Sequence, residues 1–220
     1  MFKTITALST LCVVTSVVSA GVSYDYSASY GWEDPNGGTI LGSYGNLGYA
    51  NIVDDPMGGG GNGVLELFED PVSGTPQAYV GWITGLTDGD SIYASFMALG
   101  HNDLSSSSIR IWAHYTTNDD ITAYEGSAGG NNTYSGADWT LLDHNWTFDS
   151  NDGERGGLVI EARIYTTSGD SGAAWVDDLF MGVNDSDGSG GVNIYTPGNI
   201  PAPGALALLG LAGLSRRRRS

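Results

Sequence analysis

The chain has 220 residues and a formal net charge of −17, a length that suits one domain of ordinary size with a processing segment at either end. Lys3 stands near the start and Arg216, Arg217, Arg218 and Arg219 at the end, so the body sets only Arg110, Arg155 and Arg163 against all 25 Asp and Glu. Such a body repels phosphate backbones, which argues against a nucleic-acid partner and against anionic membranes anywhere except the tail. The lone cysteine, Cys12, lies in the first apolar run, which leaves a processed chain without disulfide or thiol chemistry.

The start reads MFKTITALSTLCVVTSVVSAGVSYDY. One positive charge at Lys3 precedes an apolar stretch centred on residues 8–18, and the small residues of Val18-Ser19-Ala20 follow. That pattern predicts a secretory signal peptide over residues 1–20, cut after Ala20, and therefore export through the inner membrane.

The body over residues 21–183 reads as one all-β domain. Runs rich in β-branched and aromatic residues recur between Gly, Asn, Asp and Ser clusters, and they predict strands at 63–69, 78–84, 91–99, 109–116, 139–148, 157–166 and 174–183. Nothing of helical period and length interrupts them. In 109–116, Ile109, Ile111, Ala113 and Tyr115 alternate with Arg110, Trp112, His114 and Thr116. In 157–166, Val159, Glu161, Arg163 and Tyr165 stand opposite Leu158, Ile160, Ala162 and Ile164. Many short strands at this spacing predict a sandwich or barrel.

Three stretches carry a family likeness: GWEDPNGG at 31–38, the strand–turn–strand at 68–100, and the run from Trp139 that closes on WVDDLFMG. Together they resemble the jelly-roll sandwiches of carbohydrate-binding modules, which implies a jelly-roll-like antiparallel β-sandwich. In such modules a calcium ion often ties the first strand to the last, and the resemblance implies Glu33 and Asp177 as its ligands, with Asp178 as a second candidate. Hard carboxylate oxygens suit Ca²⁺. The alternative for Asp177 and Asp178 is a carboxylate that faces solvent or accepts from turn amides.

Six tryptophans and twelve tyrosines are many for this length. Exposed aromatic faces stack the apolar C–H side of a pyranose while nearby polar groups orient it. Trp112 shares a predicted face with Arg110 and His114, and the polar loop 124–134 is bounded by Tyr124 and Tyr134; these five are the expected polysaccharide-binding residues. Trp82, Trp146 and Trp175 sit in apolar runs and are expected to be buried. The alternative for Trp112 is that its face packs on the other sheet.

Residues 184–199 have linker composition, and Asp185-Ser186-Asp187-Gly188 lacks the later ligands of a calcium loop. The last segment, 200–220, contains Pro201-Ala202-Pro203, an uncharged Leu/Ala/Gly stretch and the four arginines. A helix over 203–214 would rise only about 18 Å, short of a hydrocarbon core of about 30 Å. This layout resembles the PEP-CTERM sorting signal, with Ala202 where the family has glutamate. The resemblance implies handling by an exosortase at the inner membrane and delivery to the cell envelope, the cell surface or the extracellular matrix. Membrane contact is then confined to this tail.

No phosphate loop, nucleophile elbow, metal-spaced histidines or glycanase carboxylate pattern occurs, so no enzyme is expected. The expected function is an exported, surface-sorted, non-catalytic polysaccharide-binding protein with a structural calcium ion. The alternative is a structural surface or matrix protein without sugar affinity.

Overall fold

The computed structural model describes residues 23–58, 63–100, 107–169 and 171–199. The expected signal peptide and the sorting tail, with Pro201, Ala202, Pro203 and the four terminal arginines, lie outside the described residues. No helix long and apolar enough to cross a membrane occurs among the described residues.

The strands are β1 (Tyr26–Tyr30), β2 (Gly42–Tyr44), β3 (Leu47–Asp54), β4 (Gly63–Glu69), β5 (Gln77–Thr84) and β6 (Ser91–Leu99). They continue with β7 (Ser107–Thr116), β8 (Ser127–Gly130), β9 (Thr140–Thr147), β10 (Gly157–Thr166), β11 (Gly172–Asn184) and β12 (Asn193–Tyr195). The first sheet runs β3-β4-β11-β6-β9, with β1 beside β4 on the same edge of β11. The second runs β12-β5-β10-β7-β8, with β2 beside β12 on the same edge of β5. Every pairing is antiparallel, and the two sheets form a jelly-roll-like β-sandwich.

Alternation along the strands builds the core. Ile109, Ile111 and Ala113 of β7 and Leu158, Ile160, Ala162 and Ile164 of β10 are fully buried, facing Ile92, Ala94 and Phe96 of β6 across the sandwich. Trp82, Trp146 and Trp175 are buried as the sequence predicts, and so is Trp32, whose indole N–H donates to Thr39 O at 2.8 Å.

Two bulges reset the alternation. In β5 the register against β10 slips between Gly81 and Tyr79, so Tyr79 and Trp82 both point away from the core. In β11 the slip falls between Asp177 and Phe180, where Asp178 takes a left-handed φ of 51°. An aspartate tolerates that conformation better than a β-branched residue would.

The stretch 184–199, expected as a linker, belongs to the sandwich instead. Asp185 accepts from the amides of Gly188 and Gly190, both at 2.9 Å, Val192 is buried, and β12 pairs with residues 82–84 of β5. Without it the part of the β5 edge beyond β2 would present unpaired amides and carbonyls.

Candidate functional site

The second sheet turns one face to the core and one outward. Cross-strand register decides which outward side chains meet. Trp82, Val159 and His114 form one row, Tyr79, Glu161 and Trp112 the next, and Gln77, Arg163 and Arg110 the third.

At the centre lies a desolvated ion cluster. Glu161 is fully buried; its Oε1 contacts His114 Nδ1, and its Oε2 accepts from Arg163 Nε at 2.5 Å. His114 is also buried, with the ring of Tyr79 at 5.0 Å and that of Tyr124 at 5.5 Å. Burial, reinforced by the Glu161 charge and opposed by Arg163, pushes the Tyr79 hydroxyl up to about 12. A carboxylate here is tolerable only because both oxygens are paired with cationic or hydrogen-bonding groups.

Around that centre the face is aromatic. Trp112 donates its indole N–H to Ser127 Oγ at 2.9 Å, and the guanidinium carbons of Arg110 and Arg163 each lie 4.8 Å from its ring centre. Arg110 also lies 4.8 Å from the Tyr165 ring and 4.9 Å from the Tyr134 ring. It donates to Asn132 Oδ1 at 3.0 Å and to Tyr165 Oη at 2.7 Å. Tyr44, Tyr124 and Tyr134 are 66%, 63% and 47% exposed, which makes them available to a ligand rather than to the core. Tyr44 reaches this face through its pairing with Gln77, and Tyr124 and Tyr134 flank β8 on the other side.

All five expected polysaccharide-binding residues therefore lie on this face or its rim. Arg110 and Trp112 are half-buried within it, Tyr124 and Tyr134 are on its rim, and His114 lies beneath, buried by Tyr79 and Tyr124. Glu161, Arg163, Tyr79, Tyr165 and Tyr44 were not among the expected site residues. The alternation of 157–166 already placed Glu161, Arg163 and Tyr165 on one face; what was missing was their register against β7.

The expected metal ligands meet elsewhere, where the end of β1 pairs with β11 beside its bulge. Asp177 Oδ1 is buried and has no hydrogen-bond partner among the described residues. A Cβ built on Gly31 would lie 3.7 Å from that oxygen and 3.9 Å from Glu33 Oε1, so this glycine borders both carboxylates. Burial holds the Asp177 carboxyl above its ordinary value, and the charges of Asp178 and Glu33 push the same way, against amide hydrogen bonds from Asp178 and Trp32. An orphaned, desolvated carboxylate oxygen near a second carboxylate fits a hard cation. Among the described residues no group of three or more His, Cys, Asp or Glu converges, so backbone carbonyls or water would complete such a shell. Asp178 is exposed.

No protein-family model and no curated protein matches the sequence. Among solved structures, the chain is similar to the CBM22-1 xylan-binding domain of Paenibacillus barcinonensis Xyn10C, at 12% identity over 72% of this chain and 94% of that one, with a TM-score of 0.47. It is similar also to the CBM22-2 xylan-binding domain of the same protein, at 17% identity over 71% of this chain and 99% of that one, with a TM-score of 0.49. A third similar structure is TmCBM61 in complex with β-1,4-galactotriose, at 12% identity over 69% of this chain and 97% of that one, with a TM-score of 0.39. The similarity is one of chain course, and the ligands named are those of the other proteins.

Proposed function

We propose that the chain is a non-catalytic polysaccharide-binding protein and that the outer face of its second sheet is the binding surface. The observation that carries this reading is the exposure of Tyr44, Tyr124 and Tyr134 around a floor of Trp112 and two guanidinium groups, all on one face. Apolar C–H faces of pyranose rings stack on such side chains, and the arginine, asparagine and tyrosine polar atoms orient the hydroxyls.

Retention of the full chain on a panel of insoluble polysaccharides tests the reading. Binding to at least one polymer, lost in a folded Trp112→Ala variant, supports it. No retention on any polymer favours instead a structural surface protein.

The two ends complete the proposal. The N-terminal segment directs export, and the tail 200–220 is a substrate of an exosortase-type machinery that delivers the protein to the envelope, surface or matrix. Mass spectrometry of surface-released protein tests this, with a C-terminus near Pro201-Ala202-Pro203 as the expected result. Calcium held by Glu33 and Asp177, with Asp178 adjacent, would pin β1 to β11 in a sandwich without disulfides.

A further inference from the structure

The strands of the two sheets divide the protein's charge unequally. Those of the second sheet contain one acidic residue, Glu161, and two arginines, Arg110 and Arg163. Those of the first contain Asp54, Glu66, Glu69, Asp143, Asp177 and Asp178 and no Lys or Arg. In a chain of net charge −17, two of the body's three cations are thus paired side by side on one face, where the only strand carboxylate is fully buried.

Glu161 compensates Arg163, but Arg110 has no carboxylate within ion-pair distance among the described residues. Its two hydrogen bonds go to neutral oxygens, those of Asn132 and Tyr165. A guanidinium carries five N–H donors. Among the described residues the buried Nε–H has no partner, and each terminal nitrogen retains one further N–H beyond the bond it makes. Three aromatic rings at 4.8 to 4.9 Å fix the plane of the group, and no carboxylate of the described residues neutralises its charge. This is a rigid, positively charged fork, and its natural complement is a carboxylate.

We infer that the polysaccharide is acidic, a uronic-acid-containing glycan whose carboxylate docks on Arg110. The inference rests on the binding face proposed above and names the ligand class for it. A neutral hydroxyl would satisfy the free N–H groups but not the charge. Elsewhere the acidic surface repels a polyanion, so an acidic chain is bound only on this face and is oriented by it.

Binding of the full chain to polygalacturonate, to its fully methyl-esterified form and to dextran sulfate, followed by titration calorimetry, tests the inference. The carboxylated polymer should bind about tenfold or more tighter than the ester, the difference a charge-assisted hydrogen bond makes. Arg110→Gln should abolish that preference, and rising salt should shrink it. Equal binding of the acid and ester forms overturns the inference while leaving the binding face in place. So does binding to dextran sulfate with none to polygalacturonate. Failure to bind these polymers or any neutral xylan or galactan overturns the binding face itself. Should Arg110→Gln not fold, the comparison of acid and ester on the unaltered protein still decides.

Discussion

Arg110 on β7 and Arg163 on β10 occupy directly paired positions, and the Trp112 ring lies 4.8 Å from both guanidinium carbons. Like charges opposite one another across a ladder normally destabilise a sheet. Here the Trp112 ring attracts both cations and Glu161 neutralises one of them. The arrangement concentrates the body's scarce positive charge where the exposed tyrosines are, and its cost in stability has to be met by the buried cluster beneath.

Glu161 is accordingly expected to be a stability residue as much as a site residue. Glu161→Gln removes the charge that pairs Arg163 and His114 inside the face. Breaking a buried pair from one side costs about 3–5 kcal/mol, or a melting-temperature drop of about 6–20 °C for a domain of this size. Thermal denaturation of the variant measures it. A change below about 1 kcal/mol would place the pair in a far wetter environment than its burial indicates.

The edge of the face depends on a glycine. A Cβ on Gly130 would stand 2.3 Å from the Ile111 carbonyl oxygen and 2.7 Å from Trp112 Cα, both backbone atoms that cannot swing aside. Gly130→Ala should push β8 away from β7, cost about 1–3 kcal/mol as overpacking does, and weaken polysaccharide retention by releasing Ser127 from the Trp112 indole. Denaturant melts and retention on the bound polymer read the two effects separately.

Seven strands and the buried tryptophans were legible in the sequence because they lie in apolar runs of 7 or more residues. β2 and β12, of three residues each, and the Ser-Ala-Gly-Gly of β8 carry no such signal. They form because a stronger neighbour, β5 or β7, offers an unpaired edge. β1 and β3 are half-exposed edge segments rich in Tyr, Ser, Gly and Asn, which read as turns. For the site, Arg110, Trp112 and His114 were placed together by local alternation. Glu161 opposite Trp112 and Arg163 opposite Arg110 depend on a non-local register, and Tyr79 beside Glu161 on a bulge; neither is written in any single segment.

The Asp177 site gives a pH dependence with a definite sign. Its carboxyl titrates above 3.8 in the folded protein because burial disfavours the ionised form, aided by Asp178 and Glu33. Above 3.8 the folded state therefore holds the proton more firmly than the unfolded state, and this group's contribution to stability falls as pH rises through that window. A bound calcium ion reverses the effect by favouring the carboxylate. Calcium at about a hundred times its dissociation constant should add about 2.7 kcal/mol near neutral pH. Asp177→Asn should remove both the calcium response and this part of the pH dependence. Melting curves across the acid range, with calcium and with chelator, check each sign.

Whether the Trp112 face holds the sugar is read most directly at the indole N–H groups. The six tryptophan indole N–H groups give separate NMR signals, assignable by substitution, that can be followed while an oligosaccharide of the retained polymer is titrated in. Saturable movement of the Trp112 signal, with the fully buried Trp32 signal unmoved, is the predicted result. Saturable binding that leaves the Trp112 signal unmoved would put the ligand on another surface.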